Sequence, residues 1–313
     1  MSAKTCSEKD RHAAGHPCFG AGHQNNARIH LPVAPGCNIR CGFCERRFDC
    51  ANENRPGVTS RVLSPQQALD RVRALLGHPE VGARLKVVGI AGPGDPLANE
   101  NTFETFRLVK AAYPHLQLCL STNGLLLAER LDALRSLGVG SVTVTMNAIT
   151  PATGARIYQS VRLDGIVLRG EAGASTLLDA QINGIQAASR AGMLVKVNSV
   201  YIPGVNDHET LPLARTAKRC GADMMNILPL IPQGIFRECP APTPTRMALV
   251  RDQAEHILPQ ARHCRQCRAD AAGMLGGDID LSYLEETPRR HAVVSESGDS
   301  QTHNHPGFLT MPQ

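Results

Sequence analysis

Six short apolar runs alternate with longer amphipathic segments along most of this 313-residue chain. The apolar runs have the length of buried strands, and Gly138, Gly192 and Gly221 stand where helices would end. Repeated strand–helix units predict a parallel sheet covered by helices, and right-handed crossovers curl such a sheet. We therefore predict an α/β fold, a partial (βα)6 TIM-like barrel. The predicted strands are 28–35, 85–92, 116–121, 141–147, 194–202 and 224–230, and the predicted helices are 64–77, 101–112, 127–137, 175–191, 207–219 and 245–258.

Two terminal segments lie outside this repeat. Residues 1–27 are polar and contain candidate ligands, and residues 277–313 are polar and predicted to be disordered. Residues 28–276 are predicted to form the barrel with a ligand-bearing C-terminal extension. The chain has neither 18 consecutive apolar residues nor the apolar centre of a signal peptide, so we expect a cytoplasmic protein without a membrane partner. Its net charge of +5 is dispersed, which argues against nucleic-acid binding.

Three of the eleven cysteines form the motif CNIRCGFC, in which Cys37, Cys41 and Cys44 are separated by three and two residues. The motif follows the first predicted strand, at the end of an α/β barrel where active sites lie. Three thiolates can hold three irons of a 4Fe–4S cubane and leave the fourth iron open. The amino and carboxylate groups of S-adenosylmethionine (SAM) can chelate an open iron, so the motif predicts a radical SAM site.

A structural zinc site is the competing interpretation of these cysteines. Such sites take four ligands in paired spacings, and three cysteines with Phe43 before the last fit that pattern poorly. A second pair, Cys264 and Cys267 in HCRQC, could by itself form half of a zinc site. Disulfides are disfavoured in the cytoplasm, so metal binding or catalysis is the expected use of these thiols.

Polar and glycine-rich segments follow the other predicted strands, including GPGDP (92–96), STNG (121–124) and YIPGVND (201–207). Because parallel strands end at one mouth of a barrel, we expect these segments to share one site with the motif. GPGDP could be a plain turn, and it lacks the Lys-Ser/Thr ending of a nucleotide phosphate loop. The candidate SAM contacts are Phe43, Gly92, Gly94, Asp95, Ser121, Thr145, Asn147, Asn198 and Ile202.

The spacing of the other candidate ligands does not group them into sites. Cys119 lies in a predicted strand and could be a small buried apolar residue, and His23 could be an ordinary surface histidine. The remaining candidates are Cys18, Cys50, Cys264 and Cys267. We find no partner for Cys6, Cys220 or Cys239.

Several ordered motifs together resemble the NifB family of radical SAM enzymes, which act in nitrogenase cofactor assembly. They are HPC (16–18), CNIRCGFCERRFDCANENRPG, GIAGPGDPLAN, LCLSTNG, KVNSVYIPGVND and HCRQCRADAAGMLG, and they run from about residue 16 to about 276. The resemblance implies an enzyme that fuses two 4Fe–4S clusters and inserts a carbide derived from SAM. The expected product is the 8Fe–9S–C precursor of the nitrogenase cofactor.

The resemblance also implies roles for individual residues. Cys37, Cys41 and Cys44 would hold the SAM-binding cluster, and Glu53 would accept a proton or serve as a temporary ligand. The six other ligands fall into two sets of three, His23 with Cys50 and Cys119, and Cys18 with Cys264 and Cys267.

Implied partners are an iron–sulfur cluster donor and a reductant of ferredoxin or flavodoxin type. Because the chain ends in a polar tail where many relatives continue into a NifX-like domain, we also expect a separate cofactor carrier or scaffold protein. Two alternatives remain. One is another radical SAM maturase with auxiliary clusters, and the other is a non-catalytic iron–sulfur scaffold.

Overall fold

The computed structural model describes residues 8–20, 24–51, 60–264 and 266–280. Its helices are α1 (Glu8–Gly15), α2 (Pro65–Leu76), α3 (Glu100–Ala112), α4 (Leu127–Ser136), α5 (Pro151–Ile157), α6 (Gly170–Arg190), α7 (Thr210–Arg219) and α8 (Pro244–Glu255). Its strands are β1 (Ala27–His30), β2 (Ile39–Cys41), β3 (Leu85–Ile90), β4 (Gln117–Thr122), β5 (Val139–Thr145), β6 (Tyr158–Leu163), β7 (Ile166–Leu168), β8 (Leu194–Tyr201), β9 (Met224–Pro229), β10 (Ala272–Met274) and β11 (Gly277–Asp278).

The main sheet has the order β11-β10-β1-β3-β4-β5-β8-β9. Six neighbouring strands, from β1 to β9, pair in parallel, and each is followed along the chain by a helix that covers the sheet. This confirms the predicted α/β partial barrel of six strand–helix units. The antiparallel strands β10 and β11 continue the sheet beyond β1, so the C-terminal extension covers that edge.

Helix starts and stops follow local chemistry. Ser64 caps α2 with a capping box, in which its hydroxyl accepts from Gln67 N–H at 3.3 Å and Gln67 accepts from Ser64 N–H at 2.9 Å. The predicted start at Asp207 is instead a short 3-10 turn, and α7 begins at Thr210. Gly138, Gly192 and Gly221 have positive φ angles just after helices, as their placement in the sequence predicts.

A second, three-stranded antiparallel sheet has the order β2-β6-β7. The register pairs Ile39 with Val161 and Arg40 with Ser160, which places the cysteine motif at the edge of this sheet. Ile39 and Val161 are buried, whereas Arg40 is exposed. The small sheet therefore buries one face against the barrel and turns the other to solvent.

The helix α1 lies at the amino-terminal ends of the barrel strands. Lys9 pairs with Asp223, just before β9, at 2.8 Å. A Cβ added at Gly15 would meet the side chain of Gln117, the first residue of β4. Residues 8–20 thus close the end of the barrel opposite to the cysteine motif.

The predicted divisions after residues 27 and 276 stay predictions, and the second falls between β10 and β11. The predicted polar tail lies outside the described residues from 281 onward. Among the helices that are described, none combines the length and the apolar character needed to cross a membrane.

Candidate functional site

The motif cysteines line one cleft at the carboxyl end of the parallel strands. Cys41 ends β2, and a turn closed by Cys44 N–H donating to the Cys41 carbonyl, at 3.1 Å, brings the last cysteine back. Cys37, Cys41 and Cys44 all face this cleft, together with parts of the loops after β3 and β4 and with Thr145 at the end of β5. The expectation that these segments share one mouth is met for the motif, GPGDP and STNG.

The GPGDP loop is fixed against the chain that enters the motif. Gly94 N–H donates to the Ala34 carbonyl at 2.6 Å, and Asp95 N–H donates to the Gly36 carbonyl at 2.8 Å. The Asn99 side chain accepts from Gly36 N–H at 3.0 Å and donates to the Gly36 carbonyl at 2.8 Å. This loop therefore positions Cys37, one residue further along the chain.

Gly94→Ala should disrupt the motif, because an added Cβ would lie 2.1 Å from the Gly36 carbonyl oxygen. We expect a loss of about 1–3 kcal/mol in the free energy of unfolding and a loss of iron from the motif. Denaturant unfolding and iron analysis measure both effects. Gly77→Ala is the matched control, since its Cβ would meet nothing closer than 3.5 Å. Equal behaviour of the two variants would contradict the positioning role.

A buried hydrogen-bond network links the loops after β3 and β4. The carboxylate of Asp95 accepts from the Thr122 hydroxyl at 2.9 Å and from Asn123 N–H at 2.6 Å. Asn123 reaches Cys37, with Nδ2 at 3.9 Å from Sγ. Burial raises the pKa of Asp95, and burial followed by the Asp95 charge raises that of Cys37. Asp95 thus orders the cleft wall and disfavours the thiolate of Cys37 when no metal is bound.

The predicted SAM contacts divide into three groups. Gly94, Asp95, Ser121 and Thr145 line the cleft with the motif cysteines. Asn198 lines a second cavity inside the barrel. The backbone carbonyl of Gly92 accepts from Ala34 N–H at 3.3 Å. The remaining three, Phe43, Asn147 and Ile202, are buried and line neither of these two cavities.

Two of the buried residues have packing or bonding partners that account for their positions. The ring of Phe43 packs 6.4 Å from that of Phe236, and the Asn147 side chain accepts from Val200 N–H at 2.8 Å. Their assignment as SAM contacts stays a prediction.

The second cavity lies inside the barrel and brings Cys18, Cys119, Cys264 and Cys267 together. Cys119 is the third residue of β4, so this cavity lies below the motif cleft, towards the end that α1 closes. Gly89 leaves room for the thiol, because a Cβ there would lie 2.9 Å from Cys119 Sγ. Four predicted ligands therefore share a cavity in the interior of the barrel.

Two cationic side chains lie beside these cysteines. The buried guanidinium of Arg28 donates to Cys267 Sγ at 3.2 Å, to Asp278 at 2.5 Å and to the Gly273 carbonyl at 2.7 Å. The buried side chain of Lys196 lines the same cavity. Burial raises the pKa of Cys18 to about 11, although the charge of Lys196 acts in the opposite direction. Iron binding at this site would thus displace protons from thiols.

The six auxiliary ligands are only partly brought together. Cys18, Cys264 and Cys267 share the interior cavity, as their predicted set requires. Cys50 lines the motif cleft, whereas Cys119, from the same predicted set, lines the interior. His23 and Glu53 lie outside the described residues. The division into two sets stays a prediction.

The arginines near the terminal cysteines have other partners. Arg262 pairs with Asp252 at 2.7 Å and with Glu255 at 2.9 Å, and Arg268 pairs with Asp270 at 2.7 Å. Sequence reasoning missed Arg28 and Lys196. Charged residues in otherwise apolar strands were the signal that could have identified them.

The unassigned cysteines have separate surroundings. Cys220 is buried at the end of α7, and Cys239 Sγ lies 3.7 Å from the Pro203 carbonyl oxygen. Cys6 is outside the described residues.

The motif cysteines fit a resident 4Fe–4S cluster by the chemistry of their donors. Three thiols surround one cleft, and Arg46 supports them by hydrogen bonds to Cys37 and to the Ile39 carbonyl. In the described residues no three His, Cys, Asp or Glu side chains are arranged to hold one metal ion. A cubane needs a wider arrangement, because each thiolate binds a different iron.

Comparisons with known proteins give the family. The model of the Radical SAM superfamily matches residues 31–217. The FeMo cofactor biosynthesis protein NifB of Methanocaldococcus infernus is 43% identical over 294 residues, an alignment that covers 93% of this chain and 96% of that protein.

Bacterial relatives are longer than the aligned region. NifB of Klebsiella pneumoniae is 42% identical, with 92% of this chain and 66% of the relative aligned. NifB of Chlorobaculum tepidum is 46% identical, with 83% of this chain and 62% of the relative aligned. The chain thus spans just under two thirds of these two relatives. The match of the superfamily model and the alignment with nearly the whole archaeal protein show that this chain belongs to the NifB family of the radical SAM superfamily.

Proposed function

We propose that this protein fuses two 4Fe–4S substrate clusters and inserts a carbide derived from SAM, which yields an 8Fe–9S–C precursor of the nitrogenase cofactor. The observation that carries the proposal is the pair of cavities in one barrel. One is lined by the radical SAM cysteines and the other by four further cysteines. Ser121 lines both cavities, so chemistry in the cleft would take place next to the interior site.

Cys37, Cys41 and Cys44 would hold the resident cluster, which supplies one electron and an open iron for SAM. The loop after β3 presents Gly94 and the wall of the cleft, and Asp95 keeps this loop attached to β4. Gln181 joins the ends of β4 and β5, since its amide donates to the carbonyls of Asn123 and Thr145 at 2.9 and 2.8 Å. These residues give SAM a pre-formed pocket.

The interior site suits a substrate cluster that must leave. Cys18, Cys264 and Cys267 provide three thiolates, which hold a cubane without enclosing it. An iron–sulfur cluster with thiolate ligands carries negative charge, and Arg28 and Lys196 place two cations beside these ligands. We propose that the second substrate cluster binds Cys50, Cys119 and His23, and that Glu53 accepts a proton during fusion.

The partners follow from this chemistry. We propose an iron–sulfur cluster donor, a one-electron reductant of ferredoxin or flavodoxin type, and a carrier or scaffold that receives the product.

The polar side chains Ser141, Thr143 and Asn226 on the interior strands favour a cavity that is filled and emptied, because a packed barrel core holds Val, Ile and Leu at such positions.

Methyl-labelled SAM provides the test. We expect label in the extracted cluster and the formation of both S-adenosylhomocysteine and 5′-deoxyadenosine, because methyl transfer and radical formation use separate SAM molecules. A deuterated methyl group should deuterate the 5′-deoxyadenosine. Mass spectrometry of the nucleosides and isotope analysis of the cluster give the readout.

The alternatives predict different products. Another radical SAM maturase would form 5′-deoxyadenosine but leave the cluster unlabelled, and a scaffold would form neither nucleoside. An unlabelled cluster after SAM turnover would therefore overturn the fusion proposal and leave the family membership intact.

A further inference from the structure

The outer face of the small sheet carries positive charge next to the motif. Arg40 on β2 and Arg162 on β6 are both exposed. Arg40 pairs in register with Ser160, so Arg162 is its diagonal neighbour across the two strands. Two like charges on neighbouring strands repel each other, and an anionic group that lies against both offsets this repulsion.

These arginines border a cleft that reaches the motif. Its lining includes Cys37, Asn38, Arg40, Arg46 and Arg162. Cys37 also faces the SAM cleft, so one of the proposed cluster ligands lies between the active site and this outer surface. An electron that enters from the outer face therefore has a short path to the resident cluster.

Among the described residues, no ion pair neutralises the arginines of this surface. Arg40 donates to the amide oxygen of Gln159 at 2.8 Å, and Arg46 donates to a backbone carbonyl. Within the described parts of the chain, the ion pairs involve neither of these arginines nor Arg162. This pattern contrasts with Arg107 on α3, whose guanidinium is paired with Glu104.

We propose that the outer face of the β2-β6-β7 sheet, with Arg40 and Arg162 at its centre, is the docking surface for a small acidic electron-carrier protein. The inference rests on the proposed function, in which the motif cluster receives an electron. Charge complementarity identifies the partner, because unpaired arginines raise the encounter rate of an acidic protein. The adjoining cleft then places the carrier beside Cys37. The carrier loses one electron and the cluster gains it, so no other reactant is needed.

Stopped-flow reduction of the motif cluster by a reduced acidic ferredoxin tests this surface. The double variant Arg40→Glu/Arg162→Glu should be reduced about tenfold more slowly, or slower still, at low ionic strength. The difference should shrink with added salt, because salt screens charges that are exposed to solvent. Reduction by dithionite should be affected much less than reduction by ferredoxin, since this small anion feels the local charge but needs no docking surface.

The controls separate the possible failures. Arg215→Glu makes the same charge change at an exposed position on α7, and its rate with ferredoxin should stay close to the wild-type rate. If the double variant does not fold, Arg40→Gln/Arg162→Gln removes the charges more gently and should give a smaller decrease. Equal ferredoxin rates in the wild type and the folded variants would overturn the docking surface. A wild-type protein that cleaves no SAM with dithionite would instead overturn the proposed function.

Discussion

Cys41→Ala is expected to abolish SAM cleavage while iron remains at the other sites. Cys41 is buried at the end of β2 and lines the cleft with Cys37 and Cys44. With one thiolate removed, two ligands remain for a cubane that needs three, so the open iron for SAM is lost. The bound iron should fall by about four atoms, one cubane. 5′-Deoxyadenosine should not exceed the background of metal-free protein under reducing conditions.

The matched control removes a thiol from a different environment. Cys220 is buried among apolar side chains at the end of α7, and Cys220→Ala should keep both iron and SAM cleavage. Chromatography of the nucleosides and iron analysis cover both variants. Normal 5′-deoxyadenosine formation by Cys41→Ala would refute the assignment of the motif as the SAM site.

Arg28→Met is expected to cost both stability and one cubane of iron. The buried guanidinium contacts Cys267, Asp278 and the carbonyls of Gly273 and Met274. Removing it leaves the two carbonyls without this donor and weakens the contact of β10 with β1. Because the Asp278 side chain is 30% exposed, water can solvate its carboxylate, and the main cost is that of buried groups left without a donor, about 1–3 kcal/mol. We expect an effect of that size on the free energy of unfolding, together with loss of the cluster that we propose binds Cys18, Cys264 and Cys267.

Two comparison variants separate structure from ligation. Cys264→Ala should lose a similar amount of iron with little effect on metal-free stability, because only a ligand is removed. Arg107→Met removes an exposed arginine paired with Glu104 and should change stability by at most about 1 kcal/mol. Stoichiometric zinc in anaerobically purified wild-type protein, with iron unchanged in Cys264→Ala, would favour the zinc interpretation of the terminal pair.

Periodicity predicted the barrel well because its elements are long enough to show a pattern. The six parallel strands and their helices begin and end within a few residues of their predicted limits, apart from β1, which ends five residues earlier, and α6, which starts five residues earlier. The capping residue Ser64 and the glycines after helices marked helix ends, because their effect depends only on local backbone geometry. Such signals need no tertiary contact, so the sequence contains them in full.

The small sheet and α1 were missed for the opposite reason. Strands β2 and β7 have three residues each, too short for an alternating pattern. The helix α1 is polar and is held at the barrel end by contacts such as the ion pair of Lys9 with Asp223. These elements depend on surfaces that only the folded barrel provides.

The sequence by itself predicted the radical SAM motif and the six-unit barrel, because spacing and periodicity are local properties of the chain, and its resemblance to the NifB family supplied the candidate auxiliary ligands. The tertiary structure decided which ligands share a cavity. It placed Cys119 inside the barrel beside Cys18, Cys264 and Cys267, and it placed Cys50 in the motif cleft. Residues far apart in the chain meet only when the strands curl and the C-terminal extension covers β1, so no spacing rule could have shown that division.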